Sequence, residues 1–247
     1  PKSIGGFIWD WVDQSVLTPV ATQYAYAFDA VHPDTYLTAF TGDYESGVGG
    51  YEGKALNGSA KFDNLEDYGL TDHITVDTYV YSTSSGSGGN YTILGKGDHQ
   101  FMIKETGKTI QWFIYTETGG WETLEVDKPD GYANAWHRLT GTYENQLLTL
   151  YIDGEKAGEQ ATVGTIANQA NGVGVGTCTE RSGRDYQGYI AQARILNRAM
   201  SADEIAALGT GFEADDAEVF RFQPFEGDEP EEIKDEHSGV WYYAYGG

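Results

Sequence analysis

Apolar residues in the middle of the chain recur at every second position over short runs. In residues 75–81, Val76, Thr78 and Val80 share one face, the period of a half-buried strand. Residues 110–116 repeat the pattern, with Ile110, Trp112 and Ile114 on one face and Gln111, Phe113 and Tyr115 on the other. Residues 101–104 precede them across a turn containing Gly107, and residues 136–143 alternate next. Residues 147–152 run into Asp153-Gly154, a pair that tolerates φ > 0 at both positions and predicts a two-residue hairpin turn. Residues 172–176 and 188–196 read as further strands. One helix is expected near residue 201: Ser201 is placed as an N-cap, Glu204 completes a capping box, and Gly209 stands where a helix stops. Many short strands and one short helix predict an all-β fold, an antiparallel two-sheet jelly-roll sandwich.

Composition adds to this picture. The chain has 33 Gly, 18 Tyr and 6 Trp but only 2 Met, a bias toward strands and turns. With 40% apolar and 14% aromatic residues it can fill a core. Asp plus Glu number 38 against 15 Lys plus Arg, a net charge of −23. That excludes a phosphate-backbone ligand and argues against anionic lipid, so neither nucleic acid nor membrane is an expected partner. No run reaches the ~18 apolar residues of a membrane span. Cys178 is the single cysteine, so it forms no internal disulfide and no thiolate zinc cluster; it reads as a small buried hydrophobe. Residues 82–90 are rich in Ser and Gly and read as a loop tip between strands.

The segment 24–210 resembles the laminin-G-like, concanavalin A-like jelly-roll family. The motifs fall in that family's order: Gly53-Lys54-Ala55-Leu56, the strand 74–81, Trp136-His137, Leu150-Tyr151-Ile152-Asp153-Gly154, and Gly188-Tyr189-Ile190 through Arg194 and Ser201 to Glu204-Ile205. Two positions depart from it. Ala191-Gln192 replace a customary Asp-Glu, and Tyr79 replaces a Trp. The flanks resemble another family. Residues 5–15, Gly-Gly-Phe-Ile-Trp-Asp-Trp-Val-Asp-Gln-Ser, look like the segment after the nucleophile region in the barrel of glycoside hydrolase family 2 β-galactosidases, and Ala244-Tyr245-Gly246-Gly247 resembles a later stretch of it. The two resemblances together imply a sandwich inserted in a β-galactosidase barrel. Residues 1–20 would be a flank from the barrel, 21–210 the jelly roll, and 211–247 the return segment. Trp9 would be the barrel residue that contacts the galactose ring. The chain starts at Pro1 and so reads as a piece of a longer protein, secreted or at the bacterial cell surface, with any export signal upstream.

A retaining glycosidase needs two carboxyl groups about 5 Å apart. In the β-galactosidase family both lie upstream of the Gly-Gly-Phe segment, so this chain is expected to hold no catalytic residue. Glu213-Ala214-Asp215-Asp216-Ala217-Glu218 has the spacing of a glucanase carboxylate motif, but it lacks bulky apolar residues between the carboxylates and reads as an acidic loop. The five histidines are scattered without metal-ligand spacing. Asp43 and Glu45 stand in a Gly-rich stretch and are candidate calcium ligands; calcium is possible but no cofactor is required. A pyranose offers an apolar C–H face to exposed aromatics. The carbohydrate-binding candidates are Tyr115 and Trp121, with Tyr91 and Trp112 behind them. Trp121 follows Thr118-Gly119-Gly120 and is expected at a loop, while Trp112 shares its face with two Ile and leans to the core. Trp136, at a strand start, is expected in the core.

The expected function is a non-catalytic carbohydrate-binding or substrate-positioning module of a β-galactosidase. Its expected partners are a galactoside-containing glycan and the remainder of its own chain. The alternative is a structural or interaction module that shapes the active-site rim or mediates oligomerisation.

Overall fold

Alternation of the kind seen in residues 75–81 buries one face of a strand and requires a second layer to bury it against. The computed structural model describes residues 37–51, 54–64, 71–84, 88–196, 198–208, 231–234 and 241–244. In chain order the strands are β1 Leu37–Ser46, β2 Lys54–Asn64, β3 His73–Ser82, β4 Asn90–Gly95, β5 Phe101–Thr106, β6 Thr109–Thr116, β7 Gly120–Asp127, β8 Trp136–Glu144, β9 Leu147–Ile152, β10 Glu155–Ala161, β11 Gly172–Val175 and β12 Gly188–Leu196. The helix α1, Ala202–Ala207, follows; β13 Glu231–Lys234 and β14 Trp241–Ala244 then pair with each other.

Strands β1 to β12 hydrogen-bond in the order β10-β9-β8-β3-β12-β2-β11-β4-β5-β6-β7, with β1 on β2, and every pairing is antiparallel. The order folds back on itself into two layers. Trp112 of β6 donates its indole N–H to the carbonyl of Thr142 in β8 at 2.9 Å. A Cβ on Gly158 of β10 would meet Val126 of β7 at 2.9 Å, so the two ends of the order face each other. Strand β2 turns the corner: Leu56 pairs with β12 in one layer, and residues 60–64 pair with β11. Gly42 and Gly58 sit opposite each other where β1 and β2 turn. Both have positive φ, and a Cβ on either would meet the partner strand's carbonyl oxygen at 2.0 Å, so only glycine fits this crossing.

Between the layers lie Ile74, Val76 and Val80 of β3, Leu139 and Tyr143 of β8, and Ile103, Ile110, Trp112 and Ile114 of β5 and β6. Each fully buried aliphatic chain of this kind stabilises the fold by about 1.5–3 kcal/mol. Trp112 is fully buried, which removes it from the carbohydrate-binding candidates and agrees with its two Ile neighbours on β6. Cys178 is buried against Met102 and Phe113, as its type suggested.

The outward face of β3, β8 and β12 carries a charged centre. Asp77 accepts hydrogen bonds from Arg138 Nε and Nη2 and from Arg194 Nε, each at 2.8 Å, and from the Thr140 hydroxyl. Residues 198–208 strap over it. Thr75 joins the strap at both ends of one bond pair, donating to the Arg198 carbonyl and accepting from the Met200 N–H. Helix α1 seats Ile205 on Tyr151, Leu196 and Met200. Its capping box is formed: Ser201 Oγ accepts from the Glu204 N–H, and Glu204 Oε2 accepts from the Ser201 N–H at 2.7 Å. At the β9–β10 turn Asp153 and Gly154 have φ of 52° and 83°. The Asp153 carboxylate also accepts from the Arg138 N–H at 2.8 Å and lies 2.7 Å from His137 Nδ1, which locks the hairpin to β8. Strands β7 and β10 end the order, and a bulge lies between Lys156 and Gly158.

Candidate functional site

Tyr115 and Trp121 are directly opposed partners across the β6–β7 hairpin. Their rings meet edge to face at 5.1 Å, a favourable cross-strand contact. Both point away from the core, since Ile114 and Trp112 fill the inner positions of β6. His99, from the β4–β5 loop, completes a trio, with its ring 5.1 Å from Tyr115 and 5.3 Å from Trp121. Trp121 is 56% exposed. It is nevertheless held, because its indole N–H donates to the Asp98 carbonyl at 2.9 Å. His99 is fixed in turn by Glu180, which accepts from the His99 backbone N–H at 2.9 Å and lies 2.9 Å from its ring Nδ1.

Asp98 carries the other side of the site. Its buried carboxylate accepts from Arg184 Nη1 at 2.7 Å and from Arg181 Nε. Lys104 lies beside them, its ammonium 4.9 Å over the Phe113 ring. Burial, and then the Arg184 charge, push the Lys104 ammonium below its ordinary value, while Asp98 and Glu125 act the other way. These groups enclose a cleft of about 280 Å³ lined by Asp98, Lys104, Phe113, Trp121, Thr123, Arg181 and Arg184. The arrangement pairs an exposed, oriented indole with a rim of hydrogen-bond donors, the combination that recognises a ring with one apolar face and polar edges.

A second aromatic cluster lies on the other layer. Tyr79 stacks on Trp136 at 4.9 Å, Tyr51 approaches Trp136 at 5.1 Å, and Tyr81 lies at 5.5 Å. The Trp136 indole N–H donates to the Val48 carbonyl at 2.8 Å. Gly49, Gly50, Asn134 and Ala135 complete an open hollow of about 600 Å³. Trp136, expected in the core, is half-buried here instead. On β8 the inner positions belong to Leu139 and Tyr143, which turns Trp136 outward with Arg138. Tyr79 covers one face of its ring and it is less exposed than Trp121, so it offers a ligand less than Trp121 does.

The other candidates fall elsewhere. Tyr91 packs against the core and donates its hydroxyl to the Gly88 carbonyl at 3.2 Å, so it does not join the Trp121 surface. Asp43 and Glu45 stand on strand β1 instead of in a loop. Glu45 accepts from Asn57 Nδ2 at 2.6 Å and from the Tyr189 hydroxyl at 3.2 Å. Among the described residues no group of three His, Cys, Asp or Glu side chains is arranged to hold a metal ion. Trp9 and the acidic stretch 213–218 lie outside the described residues. Asp98, His99, Lys104, Arg181 and Arg184 carry no signal in the sequence that marks them as a site. They come from loops and a strand scattered between residues 98 and 184, with no local pattern to join them.

A family model described as the concanavalin A-like lectin/glucanases superfamily (laminin G type) matches residues 53–206. No curated protein matches the chain. Among solved structures, the binding domain of Paraclostridial Mosquitocidal Protein 1 is 17% identical with a TM-score of 0.59, covering 86% of this chain and 59% of that one. The receptor binding domain of botulinum neurotoxin C/D mosaic serotype is 15% identical with a TM-score of 0.56, covering 83% of this chain and 54% of that one. The receptor binding domain of botulinum neurotoxin D is 15% identical with a TM-score of 0.54, covering 69% and 46%. The chain thus spans 46% to 59% of the length of these three structures. At these identities the likeness is one of fold.

Proposed function

This chain belongs to the concanavalin A-like lectin/glucanases superfamily, and from that premise we propose that it is a carbohydrate-binding module that takes a galactoside-containing glycan on the Trp121–Tyr115 surface. The observation that carries the reading is the state of Trp121. A side chain of this size left 56% exposed loses the benefit of burial, yet its orientation is set by the Asp98 carbonyl, Tyr115 and His99. An aromatic face held open in this way is pre-organised for a sugar, whose binding then costs little side-chain ordering. The proteins of similar fold are named as binding domains, which supports a binding role over an independent catalytic one.

We propose also that the module is inserted in a secreted or cell-surface family 2 β-galactosidase, whose substrate it positions. The support is the pair of sequence stretches at residues 5–15 and 244–247. Reading the gene on both sides of this segment tests it: a barrel-coding sequence is expected, and its absence would refute the insertion. In this reading the chain itself turns over no chromogenic galactoside, because both carboxylates belong to the barrel.

Calorimetric titration of the chain with a galactoside panel tests the binding role. Saturable binding is expected, and Trp121→Ala should abolish it. Truncating one central aromatic anchor of a binding surface costs about 2 kcal/mol or more, and a loss on that scale is the one to look for. Binding unchanged in Trp121→Ala would place the site elsewhere. No binding by the intact chain would leave the interaction-module alternative.

A further inference from the structure

The cleft beside Trp121 has the opposite charge balance to the rest of the chain. Lys104, Arg181 and Arg184 line it against the single carboxylate of Asp98. The whole chain has 38 acidic against 15 basic residues. Three of those scarce cations therefore meet within one small cleft, where one buried carboxylate balances only part of their charge.

The neighbouring carboxylates make their hydrogen bonds elsewhere, although the charges of Glu125 and Glu180 still act on Lys104 and Arg181 through space. Glu180 places both oxygens on His99. Glu125 accepts from the Thr109 hydroxyl at 2.6 Å and from Gln111 Nε2 at 2.9 Å. Glu122 Oε1 accepts from the Val163 N–H. The two arginines are oriented, since Asp98 holds Arg181 by Nε and Arg184 by Nη1. A guanidinium has five N–H donors, so each keeps a fork suited to a carboxylate or sulfate. Arg181 is 50% exposed and Arg184 23%, which leaves those donors within reach of a ligand. The crowding is visible at Lys104, whose ammonium is disfavoured first by burial and then by Arg184. An arriving anion would relieve it.

Resting on the carbohydrate reading above, we propose that the unit bound in this cleft is an acidic sugar, one whose ring lies against Trp121 and whose carboxylate or sulfate group is received by Arg181, Arg184 and Lys104. The cleft volume, about 280 Å³, is at the lower limit of small-molecule sites and has room for one sugar unit. A nucleic acid is the wrong anion, because its long phosphate chain would run onto a surface of net charge −23.

The test is calorimetry on the full chain at low salt with methyl β-galactoside, methyl β-galacturonide, the 6-sulfate of methyl β-galactoside, and inorganic sulfate. The carboxylate or the sulfate sugar should bind at least tenfold more tightly than the neutral one, and the two arms show which anion is preferred. The preference should shrink as salt rises. Arg181→Gln and, separately, Lys104→Met should each lower the ratio of acidic-sugar to neutral-sugar affinity toward one, and Trp121→Ala should remove binding of every sugar. Arg181 is half exposed, so its replacement leaves the fold intact, as a melting curve will verify. Acidic and neutral sugars bound equally would overturn this inference and leave the carbohydrate reading standing. No sugar bound at all would overturn both. Inorganic sulfate bound as tightly as the sugars, and unaffected by Trp121→Ala, would show an anion pocket only and overturn the assignment. A preference that survives both Arg181→Gln and Lys104→Met would do the same.

Discussion

Replacing Asp77 by Asn exchanges one carboxylate oxygen for an NH2 group and removes the carboxylate that Arg138 and Arg194, each 1% exposed, both bond. Burial by itself pushes the Asp77 carboxyl up. The Arg194 and Arg138 charges, with hydrogen bonds from Arg138 and Thr140, outweigh it and bring the group from 3.8 down to about 2. Each tenfold change in proton affinity is worth about 1.4 kcal/mol, so ionised Asp77 contributes about 2 kcal/mol of proton-linked stability. The substitution also takes that carboxylate from two buried guanidiniums, and breaking a buried pair from one side costs about 3–5 kcal/mol. Urea unfolding at pH 7 should therefore show a loss of about 3–5 kcal/mol in Asp77→Asn. The pH dependence gives an independent readout. A carboxylate with a depressed folded value stabilises above its unfolded value and loses that effect as pH falls through the folded one. The native chain should lose its Asp77 contribution between about pH 4 and pH 2, whereas Asp77→Asn has none to lose, so the two stability curves should converge there. A deficit under about 1 kcal/mol at pH 7, with parallel curves down to pH 2, would refute the reasoning. A triple exchange of Asp77, Arg138 and Arg194 for apolar residues of similar volume should recover much of the loss, because it removes all three buried charges together.

Ser201→Ala removes one half of the α1 capping box and should cost about 1 kcal/mol in thermal unfolding, with sugar binding untouched. Asp153→Ala deletes the carboxylate that fixes His137 and the Arg138 N–H and leaves alanine at φ 52°; a loss of about 2–3 kcal/mol by urea titration is expected, more than in Asp153→Asn, which tolerates that backbone. Gly141→Ala would drive a Cβ to 2.6 Å from the Trp112 ring, so overpacking of about 1–3 kcal/mol should appear in the melting temperature.

Much of the sandwich was legible because one layer buries one face of each strand. Strands β3, β6 and β8 announce themselves by alternation, β9 and the β9–β10 turn by the run into Asp153-Gly154, and α1 by Ser201 and Glu204. Strand β10, Glu155–Ala161, carries no apolar alternation at all, and its ladder to β9 alone makes it a strand. Tyr115 could be found from the mixed face of its strand and Trp121 from the glycines before it, although Trp121 stands on strand β7, paired with Tyr115, and not in the loop expected. Asp98 and Arg181 are 83 residues apart, and no short-range signal reports a contact of that kind. Trp136 shows a different difficulty. Counting in twos from Leu139 and Tyr143 already turns it outward, and only the habit of placing Trp inside argues the other way. The glycines around Asp43 and Glu45 suggest a loop, but Gly42 serves the close crossing of β1 and β2, and Gly47 lies just past the end of β1.

Strands β7 and β10, the two ends of the strand order, bear on how copies of this protein behave toward one another. A terminal strand offers unpaired backbone groups on which a second copy can grow its own sheet. Here exposed Glu125 and Asp127 on one end, and Glu155, Lys156 and Glu159 on the other, set mostly like charges against an incoming identical strand. The bulge at Lys156 and Gly158 adds a twist that a flat partner cannot follow. The acidity of the chain thus acts as a guard against self-templated assembly, and that guard is electrostatic. Salt screens it, so concentrated salt exposes these two ends to sheet growth even while the core between the layers stays folded.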